Sequence, residues 1–236
     1  MQRKRRTMSG DITHRIAALF DLDGTLYTGH ITLGVARHNR IRRANRLELF
    51  AYMAVHMPMW WLLKIAGVSE STLRGLWTRN LGWTVRGWTI REAEEAFSWI
   101  TEQYVMPRVR PEILARLREH QSFGHRVILI SGSFSPLLET TGRHLGVQET
   151  VGTPLAIQDG RYTGASELPV CQGAGKVARL ENYLNGTGEI YWPESYAYAD
   201  SYTDLPLLEK VGHPVAVYPD QRLSAHAISR GWEIIL

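Results

Sequence analysis

Asp21-Leu-Asp-Gly-Thr25 follows directly on an apolar run, Ile16 to Phe20. Two carboxylates at i and i+2 in an extended segment point the same way and can face one ligand. A second pair, Asp200 and Asp204, ends another apolar stretch, Ser195 to Ala199. A third apolar run, Arg126 to Ile130, opens into Ser131-Gly132-Ser133. Four carboxylates gathered in one place repel each other unless a cation sits among them. An oxygen-only donor set of that kind suits Mg²⁺. Lys176 follows Gly173-Ala-Gly175 at the start of a helical pattern and adds a fixed positive charge. Mg²⁺, an ammonium group and backbone N–H donors together make a site suited to a phosphoryl group.

These residues converge only if the three apolar runs are neighbouring strands of one sheet. Ligands of open α/β sheets bind beyond the carboxyl ends of such strands. Pro214 to Val217 and Glu233 to Leu236 read as further strands, and Leu137 to Leu145 and Lys176 to Leu184 as helices between them. Strands alternating with helices predict a doubly wound parallel α/β sheet covered on both faces. Asp159-Gly160 predicts a hairpin within Thr150 to Ser166. From Leu33 to Glu119 the pattern is helical, with starts at Ser69, Thr89 and Pro111, and Thr89 with Glu92 forms a capping box. This stretch is too long for a simple crossover, so residues 33–104 are expected as an inserted α-helical cap. The core is then residues 15–32 and 105–236, after a basic tail over residues 1–14.

Composition sets the outer bounds. The chain has 236 residues, 44% hydrophobic and 21% charged, which excludes disordered, collagenous and coiled-coil chains. Its single cysteine, Cys171, leaves no internal disulfide or cysteine-rich zinc site, and fits a reducing, cytoplasmic setting as a packed residue. The nine histidines show no HxH or HxxxH spacing, which argues against zinc. No secretion signal follows MQRKRR, because the next apolar run is short and meets two aspartates.

Charge is unevenly spread. The net charge is +4, yet residues 1–46 hold ten Lys or Arg against three Asp. Such a basic region points to an anionic partner or to a solvated helix face, with Arg37, Arg40, Arg42, Arg43 and Arg46 as its members. Leu49 to Val68 is strongly apolar but interrupted by Pro58 and Lys64. It is expected as a buried or interfacial helical pair broken near Pro58, with peripheral membrane contact as an option. Trp60, Trp61, Trp77, Trp83 and Trp88 are expected in the cap core or along a substrate pocket.

The four clusters, in this order, resemble the motifs of haloacid dehalogenase superfamily phosphatases: Asp21-Leu-Asp-Gly-Thr25, Ser131, Lys176 and Asp200-Ser-Tyr-Thr-Asp204. The large helical insertion is similar to the phosphoserine phosphatase-like branch, as is the tail through Val211-Gly-His-Pro-Val-Ala216 and Pro219-Asp220. The resemblance covers residues 15–33 and 105–236, and the cap matches in kind only.

The resemblance implies a haloacid dehalogenase-like Rossmannoid core and a Mg²⁺-dependent phosphomonoesterase. Asp21 would be the nucleophile that forms an aspartyl-phosphate, and Asp23 the acid and then the base. Asp21, the Asp23 carbonyl and Asp200 would hold Mg²⁺, with Asp204 supporting them. Ser131, Gly132 and Lys176 would bind phosphate, and Thr25 would either donate to phosphate or fix the loop. Phosphoserine phosphatases carry an acidic residue shortly after the first motif, where this chain has His30, and usually a glycine where it has Ala199. The expected substrate is therefore a phosphorylated small molecule or a lipid headgroup phosphate. No nucleic acid is expected in that role. The competing readings are a membrane-surface or nucleic-acid binding module with a vestigial site, and a phosphotransferase.

Overall fold

A computed structural model describes residues 15–236; the basic tail expected over residues 1–14 lies outside the described residues. Six strands form one parallel sheet in the order β3-β2-β1-β6-β7-β8. They are β1 (Ala17–Phe20), β2 (Arg126–Phe134), β3 (Glu149–Thr153), β6 (Tyr196–Ala199), β7 (His213–Val217) and β8 (Glu233–Ile235). β4 (Leu155–Gln158) and β5 (Arg161–Ser166) make a separate antiparallel hairpin.

The strands read as apolar runs because both sheet faces are covered. Ala18 and Phe20 of β1 point into one hydrophobic cluster and Ala17 and Leu19 into another, as the two-residue period requires. The first cluster is closed by Ile113 and Leu117 of α5 (Pro111–Ser122) and by Leu137 and Leu138 of α6 (Ser135–Leu145). The second is closed by α7 (Ala174–Thr187), α8 (Leu205–Leu208) and α9 (Gln221–Arg230), through Leu180, Leu207 and Leu223.

Between β1 and α5 lie α1 (Ile31–Arg42), α2 (Arg46–Ile65), α3 (Glu70–Asn80) and α4 (Ile90–Ile100), with short turns after α3 and α4. The Ser69 side chain caps α3, and Thr89 with Glu92 forms the capping box of α4. Pro111 opens α5, where its missing N–H costs nothing.

Two expectations need correction. Leu49–Val68 is not a broken pair, since α2 runs unbroken through Pro58. Both halves of the helix are anchored: the Tyr52 hydroxyl donates to the Trp77 carbonyl at 3.0 Å, His56 pairs with Asn80 at 2.9 Å, and Trp60 meets Trp77 edge-on. The lost hydrogen bond falls on the exposed side, where water can reach the freed carbonyl. The second correction concerns Thr150–Thr153, which belongs to β3 on the main sheet and not to the hairpin. Among the described residues no helix is long and apolar enough to cross a membrane.

Candidate active site

The sheet order makes β1 the neighbour of both β2 and β6, so the residues after β1 and β6 meet Ser131 and Gly132 at one edge. These two lie within β2, which runs on past the expected end at Ile130 through an irregular stretch to Phe134. Phe20 is level with Leu129 and Tyr198, and the Asp21 N–H donates to the Tyr198 carbonyl at 3.0 Å. Asp21 therefore emerges between Ser131 of β2 and Asp200, which follows β6.

Beyond Asp21 the chain turns back on itself, with the Leu26 N–H on the Leu22 carbonyl and the Gly24 N–H on the Gly29 carbonyl. Gly24 has φ +80°, and a Cβ there would lie 2.2 Å from Asp200 Oδ2. The loop can press against that carboxylate only because the side chain is missing. Asp23 Oδ1 accepts from the Tyr27 hydroxyl at 2.5 Å and from the Ile31 N–H at 2.9 Å. Ile31 opens α1, so the carboxylate sits where free helix N–H groups favour negative charge. Burial nevertheless pushes the Asp23 carboxyl up to about 6, against the opposing pull of these two donors.

Lys176, in the first turn of α7, is buried. Its Nζ donates to Asp21 Oδ1 at 2.5 Å and to Asp204 Oδ2 at 2.8 Å. Burial alone would lower the lysine pKa, but Asp204 and Asp21 outweigh it and hold the ammonium charged. The Thr25 hydroxyl lies 3.1 Å from Asp21 Oδ2 and 3.3 Å from Asp200 Oδ1. These two contacts tie the first loop to the carboxylates on either side of it. Ser131 Oγ accepts from the Ser133 N–H at 3.1 Å. Asp220 caps α9 and accepts from Ser201 and from the Tyr202 N–H, which steadies the loop between Asp200 and Asp204.

Asp21, Asp200 and Asp204 each offer a carboxylate oxygen, and these atoms all lie within 4.8 Å of one another. Burial, then Asp21 and Asp204, push the Asp200 carboxyl up to about 8, and Asp204 rises to about 6 for the same kind of reason. Asp204 Oδ1 is buried with no hydrogen-bond partner among the described residues. One ammonium does not offset this many acids, and one buried carboxylate oxygen is left without a donor. The donor set fits a hard divalent cation such as Mg²⁺.

Every expected site residue except Thr25 lines one cleft of about 620 Å³. Its outer walls are apolar and come largely from the inserted helices: Leu49, Met53, Met57, Trp60, Trp61 and Trp77. Trp88 is buried in the core instead, and Trp83 packs against it. Sequence reasoning missed several polar members of the site. Tyr27, four residues after Asp23, could have been found from that spacing. Gln172, Thr203 and Arg74 line the cleft without any local pattern to mark them. Cys171 is buried, and burial pushes its thiol up to about 12, as for a packed cysteine.

Comparison with known proteins places this geometry. The family model described as haloacid dehalogenase-like hydrolase matches residues 18–209. Phosphoserine phosphatase SerB1 of Mycobacterium tuberculosis is 28% identical over 92% of this chain and 70% of its own length. A protein of unknown function from Bordetella pertussis Tohama I has a solved structure that superposes with a TM-score of 0.79, at 26% identity over 94% of this chain and 98% of that one. A phosphoserine phosphatase solved as a phospho-aspartyl intermediate analogue superposes with a TM-score of 0.61, at 19% identity over 94% and 93% of the two chains. The chain therefore belongs to the haloacid dehalogenase-like hydrolases, and it shares its fold with a phosphoserine phosphatase.

Proposed function

We propose that the chain hydrolyses phosphomonoesters through an aspartyl-phosphate on Asp21, with Mg²⁺ as cofactor. The observation that carries this reading is the meeting of Asp21, Lys176, Asp200 and Asp204 at the floor of one cleft. A carboxylate oxygen of Asp21 bonds to phosphorus as the bond from phosphorus to the alcohol oxygen breaks. Asp23 gives its proton to the departing alcohol. It then takes a proton from the water whose oxygen displaces Asp21 from phosphorus. Lys176, Ser131 and the Gly132 N–H hold the phosphate oxygens as charge builds on them. Thr25 keeps the Asp21 and Asp200 carboxylates in place. Asp21, Asp200, Asp204 and the Asp23 carbonyl would hold the metal, which supplies positive charge opposite the phosphoryl oxygens. Residues 33–104 serve as a cap that shields the cleft from bulk water and selects the alcohol.

The substrate is a phosphorylated small molecule whose alcohol carries an apolar body. Beyond the aspartates at the floor, no carboxylate lines the cleft among the described residues, so an ammonium group would find no counter-charge there. The walls offer aromatic and methionine side chains instead. A lysophosphatidate, whose lipid headgroup is a phosphomonoester, or an aryl phosphate meets that chemistry better than phosphoserine.

Turnover of p-nitrophenyl phosphate tests the mechanism. Asp21→Asn and EDTA are each expected to abolish it, with Mg²⁺ restoring the EDTA-treated enzyme. Activity that persists in either case overturns the reading.

A further inference from the structure

The outward side of α2 carries no charge. At 3.6 residues per turn, Leu47, Phe50, Ala54, Pro58, Trp61 and Ile65 fall on one side, opposite the buried Tyr52 and His56. Leu47 is 80% exposed, Phe50 72%, Leu62 67% and Ile65 82%. A helix resting on a core is expected to turn its polar side to solvent. Here the solvent side is apolar along the length of the helix, about 30 Å for twenty residues. A continuous exposed face of this kind marks an interaction surface.

The charges around the face identify its partner. Between residues 37 and 64 the chain has six Lys or Arg and a single carboxylate, Glu48. Arg40, Arg42 and Arg43 end α1, and Arg46 and Lys64 flank the apolar side of α2; all five are exposed. We propose that this face docks on an anionic lipid bilayer. Apolar side chains would enter the acyl boundary while the cations meet lipid phosphates. A second copy fits less well, because a two-fold contact across α2 sets cations against cations with only Glu48 to offset them. The adjoining flank of α2 supplies Leu49, Met53, Met57 and Trp60 to the cleft, and Trp61 borders both the cleft and the outward face, so docking brings the cleft mouth to the lipid. The inference rests on the surface alone and stands whether or not the phosphatase reading holds.

Sedimentation of the full chain with lipid vesicles tests it. Vesicles of phosphatidylcholine containing about 30% phosphatidylglycerol are expected to bind at least about tenfold more protein than phosphatidylcholine alone, and raised salt should weaken that binding. Phe50→Asp with Ile65→Asp should lower binding by about tenfold or more. Hydrolysis of p-nitrophenyl phosphate should stay unchanged, since neither residue lines the cleft. Leu62→Asp alone should act in the same direction, with melting curves confirming the fold of each variant. Arg40→Ser with Arg43→Ser should remove the preference for anionic vesicles. Vesicle binding that survives Phe50→Asp with Ile65→Asp overturns the proposal. A dimer in sedimentation velocity that those same changes dissolve also overturns it.

Discussion

Lys176 Nζ lies 2.5 Å from Asp21 Oδ1, and the same nitrogen reaches Asp204 at 2.8 Å. All three side chains are buried, so the contact is a compact charge cluster and not a surface ion pair. Breaking a buried pair by removing one partner leaves the other charge stranded.

Lys176→Met is therefore expected to cost about 3 kcal/mol of stability at neutral pH. It should also reduce turnover at least about 100-fold, through loss of a phosphate contact. Adding Asp21→Asn should return part of the stability and none of the activity. Urea denaturation of the two single variants and the double variant measures this coupling directly.

Gly24→Ala tests the close approach of the first loop to Asp200. Its Cβ would sit 2.2 Å from Asp200 Oδ2, at a backbone angle of +80°. Either the loop or the carboxylate must move, at a cost of more than about 1 kcal/mol. Because misplacement of about 1 Å can cost about 100-fold in rate, kcat is expected to fall by about that factor. A thermal melt and a phosphate-release assay read the two effects separately.

The acidic cluster links metal, protons and stability. The Asp200 carboxyl stands at about 8, against 3.8 for an ordinary aspartate. The folded, metal-free protein therefore holds a proton there that the unfolded chain releases. That contribution to stability is fully present below about pH 4 and is lost as pH rises through about 8. Without metal, the melting temperature should fall between about pH 5 and pH 8, and Mg²⁺ should reverse the fall. Adding Mg²⁺ near pH 7 should release about one proton per ion, which calorimetry in buffers of different ionisation enthalpy would detect.

His30 tests the alcohol end of the cleft. It lines the cleft near Arg74, whose charge, after burial, helps hold the imidazole below its usual pKa. Neither group attracts a substrate ammonium. His30→Glu supplies a carboxylate at that wall, and phosphoserine turnover relative to p-nitrophenyl phosphate should rise at least about tenfold. No change in that ratio would mean that the position does not face the alcohol.

Much of the site was legible because Asp21 and Asp200 follow short buried strands and Ser131 lies in the last part of a third, and such strands announce themselves as apolar runs. Asp21, Ser131 and Asp200 are positioned by β1, β2 and β6, which pair side by side in the parallel sheet. Lys176 was legible from the glycines ahead of its helix. Gln172, Thr203 and Arg74 were not, because they reach the cleft through tertiary packing that leaves no mark at fixed spacing. The continuity of α2 was hidden for a similar reason: Pro58 argues locally for a break, while Tyr52, His56 and Trp60 hold both halves through contacts to α3. The place of β3 was lost because only Pro154 separates it from β4, so the two short strands read as one segment ahead of Asp159-Gly160.

The β4–β5 hairpin leaves the sheet after β3 and lies against the inserted helices. The Gly87 N–H donates to the Tyr162 carbonyl at 2.8 Å, and the Tyr162 N–H to the Trp88 carbonyl at 2.9 Å. The insertion is thus strapped to the sheet twice over, by its own two ends and by the hairpin's two ends. Any swing that widens the cleft must bend all of these tethers together. A hinge at the ends of the insertion alone would tear the hairpin from the helices it grips.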